Sequence, residues 1–219
     1  MKNLNVKAFI YILLFFSAIL WFAFAFFGGL RLYNLWAFLK LFPNVATLDL
    51  LVWSLFAKWG WRWKIFQGWL VPFPDLNGTW QGNIRSNWTD KETGKKPPAI
   101  SAILSIKQTF GKISCVMRTA EMVSHSYIEG FTLDRDKQIR QLTFSYTSRP
   151  KPSVKERSTP HDGTIVFDLI GKPVSKLEGR YWTDRETTGE ITLAYRGKEL
   201  LEEIPDDFPP HPVSGKNSQ

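Results

Sequence analysis

Residues 177–196 read LEGRYWTDRETTGEITLAYR. Small or apolar side chains alternate with polar ones through Leu177, Gly179 and Tyr181, a charged knuckle follows from Asp184, and alternation resumes through Ile191 and Leu193. A period of two marks an extended strand with one face inward, and two such runs joined by a short Thr/Gly turn make a hairpin. The tip of that hairpin carries more hydroxyls than closure requires, together with Arg185.

The same period extends over the whole stretch from Leu76. Eight strand-like runs fall at 77–88, 100–109, 112–120, 124–133, 138–147, 163–170, 176–183 and 189–196, separated by turn-like TFGK, DRDK and GKPVSK. Short sequential strands without an intervening helix predict an antiparallel up-and-down meander. Closure into an eight-stranded β-barrel removes the exposed edges, and a two-sheet sandwich is the alternative. The expected organisation is a two-helix membrane anchor over 1–70, a β-barrel ligand-sensing domain over 71–196, and a disordered polar, Pro-rich tail over 197–219.

Parity assigns faces. Trp80, Gly82, Ile84, Ile100, Ala102, Leu104, Ile106, Ile113, Cys115, Met117, Leu142, Phe144, Ile165, Phe167, Leu169, Ile191 and Leu193 share the inward set. The fourth run is ambiguous, since Ser126, Ile128 and Gly130 or Tyr127, Phe131 and Leu133 could point inward. In an up-and-down barrel the loops after the odd-numbered strands share one end. The inward positions nearest it are Ser86, Thr119, Tyr146, His161, Tyr181 and Thr183, with Ser124 or Ser126 beside them. The expectation is a barrel greasy at the end where the linker enters and polar at the other. A small barrel holds packed side chains or one small ligand, and convergent polar groups at a concave mouth are a binding hypothesis. Strand ends are also simply wet, which accounts for polar residues without a ligand.

Upstream, AFIYILLFFSAILWFAFAFF (8–27) is uncharged and long enough to cross a hydrocarbon core. A second block, 44–63, is interrupted by Asp49, and its uncharged stretch from Val45 to Ala57 is short for a span unless Trp59, Trp61 and Trp63 extend it to the headgroup level. Asp49 is expected near the start of that helix, reaching the interface; a mid-membrane carboxylate would be functional. Lys2 and Lys7 before the first block, with Lys58, Arg62 and Lys64 after the second, outweigh Arg31 and Lys40 between them. The positive-inside rule then puts both ends of the hairpin, and the domain that follows, in the cytoplasm.

The formal charge is +8, with residues 1–74 holding seven Lys/Arg against one Asp. A basic membrane-proximal segment suits an anionic lipid surface, and the mildly basic domain tolerates an anionic ligand. Cys115 is the sole cysteine, so no intrachain disulfide forms. No metal or cofactor is expected: the three histidines, His125, His161 and His211, lack metal-ligand spacing. There is no P-loop, no G-x-S-x-G and no G-x-G-x-x-G, so no enzyme is expected; Asp162, Asp184 and Glu186 read as solvated turn charges rather than a catalytic set. The segment 147–163 carries Arg149, Lys151, Lys155 and Arg157 against Glu156 and Asp162, and the fork-like guanidinium groups of the two arginines suit phosphate. Without a repeated basic–aromatic stripe, a small anionic nucleotide fits better than a polymeric nucleic acid.

These segments resemble a known family. Two N-terminal spans followed by LNGTWQGNI, ILSIKQTFGKISCVMRT, SHSYIEG, LTFSYTSRP, HDGTIVFDL and LEGRYWTDRETTGEITLAYR are similar to the CD-NTase-associated effectors of CBASS antiphage systems that join two transmembrane helices to a β-strand-rich domain. The resemblance covers residues 8–196, and its most specific part is the series Gly179, Tyr181, Thr183, Arg185, Thr187 or Thr188, and Gly189. It implies a bacterial inner-membrane protein with both termini cytoplasmic. Its β-barrel would bind a cyclic nucleotide made by a partner nucleotidyltransferase, self-associate, and drive its membrane segments to disrupt the bilayer and kill the cell. Parity and loop chemistry then place the ligand at Thr119, Ser126, Tyr146, Arg157, His161, Tyr181, Thr183 and Arg185. A membrane-tethered carrier of an apolar ligand is the competing reading.

Overall fold

The computed structural model describes residues 6–28, 35–89, 94–155, 158–206 and 208–209. The chain divides into two compact units that meet between Phe73 and Pro74 in sequence.

The first unit contains α1 (Val6–Phe27) and α2 (Leu35–Lys58). Within them Lys7–Phe27 and Leu39–Lys58 are each long and apolar enough to cross a membrane. Phe9 packs edge-on against Trp53 and Phe56 at 5.6 and 5.8 Å, and Ser17 meets Asp49, so the helices run antiparallel. The second helix differs from the expected block. The helix begins at Leu35 rather than near 44 and ends at Lys58 rather than 63. Pro43, which has no amide to donate, lies inside α2, and its carbonyl accepts the Thr47 hydroxyl at 2.7 Å. Trp61 instead lies in a 3-10 turn, Gly60–Arg62, which Trp59 and Trp63 flank, and a second such turn covers Lys64–Phe66. Asp49 is therefore well inside the helix, not near its start. Its Oδ2 accepts the Ser17 hydroxyl at 2.6 Å, while its buried Oδ1 has no hydrogen-bond partner.

The second unit is a closed barrel of β1 (Gly78–Ser86), β2 (Ile100–Gln108), β3 (Ile113–Thr119), β4 (Met122–Asp134), β5 (Ile139–Pro150), β6 (His161–Ile170), β7 (Lys176–Thr183) and β8 (Thr188–Gly197). Each strand pairs antiparallel with its sequence neighbours, and β8 closes on β1, so the meander and closure are as the alternation required. The register places Trp80 opposite Leu104, Leu104 opposite Met117, and Leu142 opposite Phe167. These side chains fill the interior with Ile106, Cys115, Phe144, Ile165, Leu177 and Leu193. Burying each large apolar side chain stabilises the barrel by about 1.5–3 kcal/mol relative to leaving it exposed.

β4 resolves the parity ambiguity by using both alternatives. A bulge at Tyr127, between Ser126 and Ile128, shifts the register. Ser124 and Ser126 therefore pair opposite inward Ser148 and Tyr146, whereas below the bulge Glu129 and Phe131 pair opposite inward Phe144 and Leu142.

The end carrying the short turns is tied by Asn77 and Gln108. The Gln108 amide donates to Asn77 Oδ1 at 2.7 Å, Asn77 Nδ2 donates to the Gln108 carbonyl at 2.9 Å, and the Leu76 amide donates to Gln108 Oε1 at 2.8 Å. Beyond β8 the chain crosses the outside of β1 and β2. The Thr79 hydroxyl donates to the Glu199 carbonyl and accepts from the Leu201 amide, and the Ser105 hydroxyl donates to the Leu201 carbonyl. This strap explains why Ile103, on the outward parity, is fully buried.

Candidate functional site

The opposite end gathers the loops after β1, β3, β5 and β7. Four expected residues come together there. Tyr146, near the end of β5, points inward and is almost fully buried. Its ring faces that of His161, the first residue of β6, edge-on at 6.4 Å. Arg185, on the β7–β8 turn, donates from Nη2 to His161 Nδ1 at 2.5 Å. Tyr181 packs partly buried against the core, with Ser86 beside its hydroxyl.

Local sequence explains the seating of both tyrosines. A Cβ on Gly163 would lie 2.5 Å from the Tyr146 hydroxyl, and one on Gly189 would lie 2.6 Å from Tyr181 Cε1. Each ring lies over a glycine of the adjacent strand, the close approach that glycine inside a strand permits. Alternation alone did not reveal these seats, although a glycine at an inward position was the available signal.

Electrostatics fix the state of the cluster. His161 is held below the ordinary imidazole range, first by burial and then by the neighbouring Arg185 cation. A neutral ring accepts the guanidinium hydrogen at Nδ1 in the tautomer that carries its proton on Nε2, while the Thr159 carbonyl, 3.4 Å from the same Nδ1, favours the other tautomer. Burial and the nearby Tyr181 raise the Tyr146 phenol above its ordinary range, so it stays a neutral donor. Arg185 is exposed, and one nitrogen bonded to His161 leaves other guanidinium hydrogens available to an anion.

The remaining expected residues have local duties. Thr183 Oγ1 bonds Thr187 Oγ1 at 2.7 Å and, with the left-handed backbone of Glu186, closes the β7–β8 turn. Thr119 Oγ1 accepts from the Met122 amide at 3.1 Å across the β3–β4 turn. Ser126 accepts from the Cys115 amide at 2.9 Å and donates to Glu129, joining β3 to β4 at the bulge. Arg157 lies outside the described residues. Asp162 accepts from Thr147 at 2.7 Å and Asp184 from the Asp162 amide at 3.2 Å, which ties the turn to the start of β6. Sequence reasoning passed over Ser148, buried at the mouth and bonded to Ser124 at 3.0 Å. Among the described residues no cluster of His, Cys, Asp or Glu side chains is arranged to hold a metal.

Comparison with known proteins assigns the family. Residues 71–195, more than half of the chain and the whole barrel up to Tyr195, match the family described as "Cap15, cyclic dinucleotide receptor domain". The chain belongs to the Cap15 receptor family. It is also similar to CD-NTase-associated protein 15 of Staphylococcus schleiferi, with 26% identity over 148 residues, spanning 68% of this chain and 75% of that protein. The Cap15 match begins just after the aromatic segment that follows α2, so the receptor domain is the closed barrel bearing the Tyr146–His161–Arg185 cluster.

Proposed function

We propose that the barrel binds a cyclic dinucleotide supplied by a partner nucleotidyltransferase, at the mouth formed by Tyr146, His161, Tyr181 and Arg185. The observation that carries this reading is the exposed Arg185 guanidinium held against a neutral His161 beside a tyrosine ring, in a barrel of the Cap15 receptor family. Arg185 supplies charge-assisted hydrogen bonds to phosphate, and the tyrosines offer faces and hydroxyls to bases. Thr183, Thr119 and Ser126 line the same interior but have hydroxyls engaged with the fold, so their part in binding is to hold the wall in shape. Arg157 is proposed to add a second phosphate contact.

Receptor occupancy then favours self-association, because a ligand shifts an equilibrium by its differential affinity for the two states. With α1 and α2 crossing the bacterial inner membrane and both termini cytoplasmic, assembly disrupts the bilayer and ends the infected cell. Reconstitution of the full chain in dye-loaded vesicles tests the reading. Dye release on adding a cyclic dinucleotide, and none with the linear dinucleotide, supports it. Binding without release removes the membrane step, and no binding removes the receptor assignment.

A further inference from the structure

The segment after α2 is folded as a surface rather than as a linker. The Trp63 amide donates to the Gly60 carbonyl at 2.9 Å, the Phe66 amide to the Trp63 carbonyl at 3.0 Å, and the Val71 amide to the Phe66 carbonyl at 2.9 Å. These bonds fix the backbone and turn the aromatic side chains apart. Trp61 is buried, whereas Trp59, Trp63, Ile65 and Trp69 are 51%, 60%, 70% and 53% exposed. Trp63, Phe66 and Trp69 form a contiguous group, with Trp63 stacked on Phe66 at 6.1 Å and Phe66 against Trp69 at 6.4 Å. The Trp69 indole donates to the Ile65 carbonyl at 2.6 Å, which ties that ring to its own turn.

Positive charge accompanies this patch. Lys58, Arg62 and Lys64 are exposed, and no Asp or Glu occurs between Asp49 and Asp75. The Lys58 ammonium sits 4.5 Å above the Trp59 ring and the Arg62 guanidinium 5.0 Å from the Trp61 ring. Two of the three cations are thus held at the level of indoles.

We infer that Lys58–Trp69 is a docking surface for anionic phospholipid headgroups, with the indoles at the acyl boundary and the three cations among lipid phosphates. Contiguous exposed apolar surface marks an interaction site, and indoles favour the membrane–water interface. Charge selects the occupant, since a basic run without a single acid complements an anionic leaflet better than a zwitterionic one. The inference rests on the reading that α1 and α2 cross the membrane, but it needs no messenger and no assembly.

The test uses the full chain carrying Ile65→Cys, labelled with an environment-sensitive fluorophore while the native Cys115 stays buried. It is reconstituted into vesicles of phosphatidylcholine, or of phosphatidylcholine with phosphatidylglycerol, and quenched with neutral acrylamide. Shielding of the probe should increase severalfold with phosphatidylglycerol and fall again in high salt. Replacing Lys58, Arg62 and Lys64 with Gln should weaken seating by about fivefold per charge removed. Equal shielding in both lipids, or shielding unchanged by the triple replacement, overturns the inference in favour of a neutral interface or a protein partner. A second probe at Leu14→Cys should be shielded in both lipids. Exposure there overturns the membrane-crossing premise, and the inference with it, and is distinguishable from failure of the lipid preference alone.

Discussion

Arg185 is the residue on which the mouth turns, because it is at once the cation for a ligand and the partner of His161. Replacing Arg185 with Ala removes a charge that holds the imidazole pKa down. The His161 pKa should therefore rise, as read by NMR titration, while cyclic dinucleotide affinity falls. Gly163 offers a steric counterpart. A Gly163→Ala methyl would collide with the Tyr146 hydroxyl at 2.5 Å and the Trp182 carbonyl at 2.8 Å. Overpacking of this kind costs about 1–3 kcal/mol, and urea unfolding should show it together with weakened binding. Cys115 should resist alkylation in the native barrel, since burial raises its thiol pKa and the Glu129 carboxylate adds to that. Parity made Tyr146, His161 and Tyr181 readable as inward because alternation carries side-chain direction. It could not show that Thr119, Thr183 and Ser126 spend their hydroxyls on turns and seams, since hydrogen-bond partners are tertiary facts. Nor did it reveal that glycines seat the rings.

At the scale of elements, the strands were legible and α2 was not. A meander barrel repeats one local rule, so each run could be located from alternation and its turns. α2 obeys a weaker rule: Asp49 interrupts its apolar run, and Ser17 of α1 gives that carboxylate a partner inside the hairpin. The β4 bulge was likewise invisible, because one extra residue reverses which side chains face inward. Each feature carries an expectation. Ser126→Ala should leave the Cys115 amide and Glu129 without their partner at the bulge, lowering stability by about 1–3 kcal/mol. Ser17→Ala removes the hydroxyl that Asp49 Oδ2 accepts, beside an Oδ1 already lacking a partner. The helical hairpin should then separate more readily than in Asp49→Leu, as measured by cross-linking between α1 and α2 in vesicles.

For the molecule as a whole, the barrel supplies rigidity and the mouth supplies the perturbed groups. The pH dependence follows from His161. Its folded pKa lies below its unfolded value near 6.5, so the unfolded chain takes up a proton before the folded one does. The stability this residue contributes is present above about pH 6.5 and is lost as pH falls through the folded value. The thermal midpoint should drop on that acid limb, and His161→Gln should flatten it. The central claim is that this barrel is a cyclic dinucleotide receptor whose ligand lies at the Tyr146–His161–Arg185 mouth. Its most direct test is thermal unfolding of the barrel, residues 74–219, titrated with a panel of cyclic dinucleotides. At 100-fold over Kd a ligand stabilises by about 2.7 kcal/mol, a shift on the order of 5–15 °C for a domain of this size. Such a shift is expected with at least one cyclic dinucleotide, and it should be lost in Arg185→Ala. A folded barrel whose midpoint no cyclic dinucleotide moves, or a shift that Arg185→Ala leaves intact, would contradict the claim.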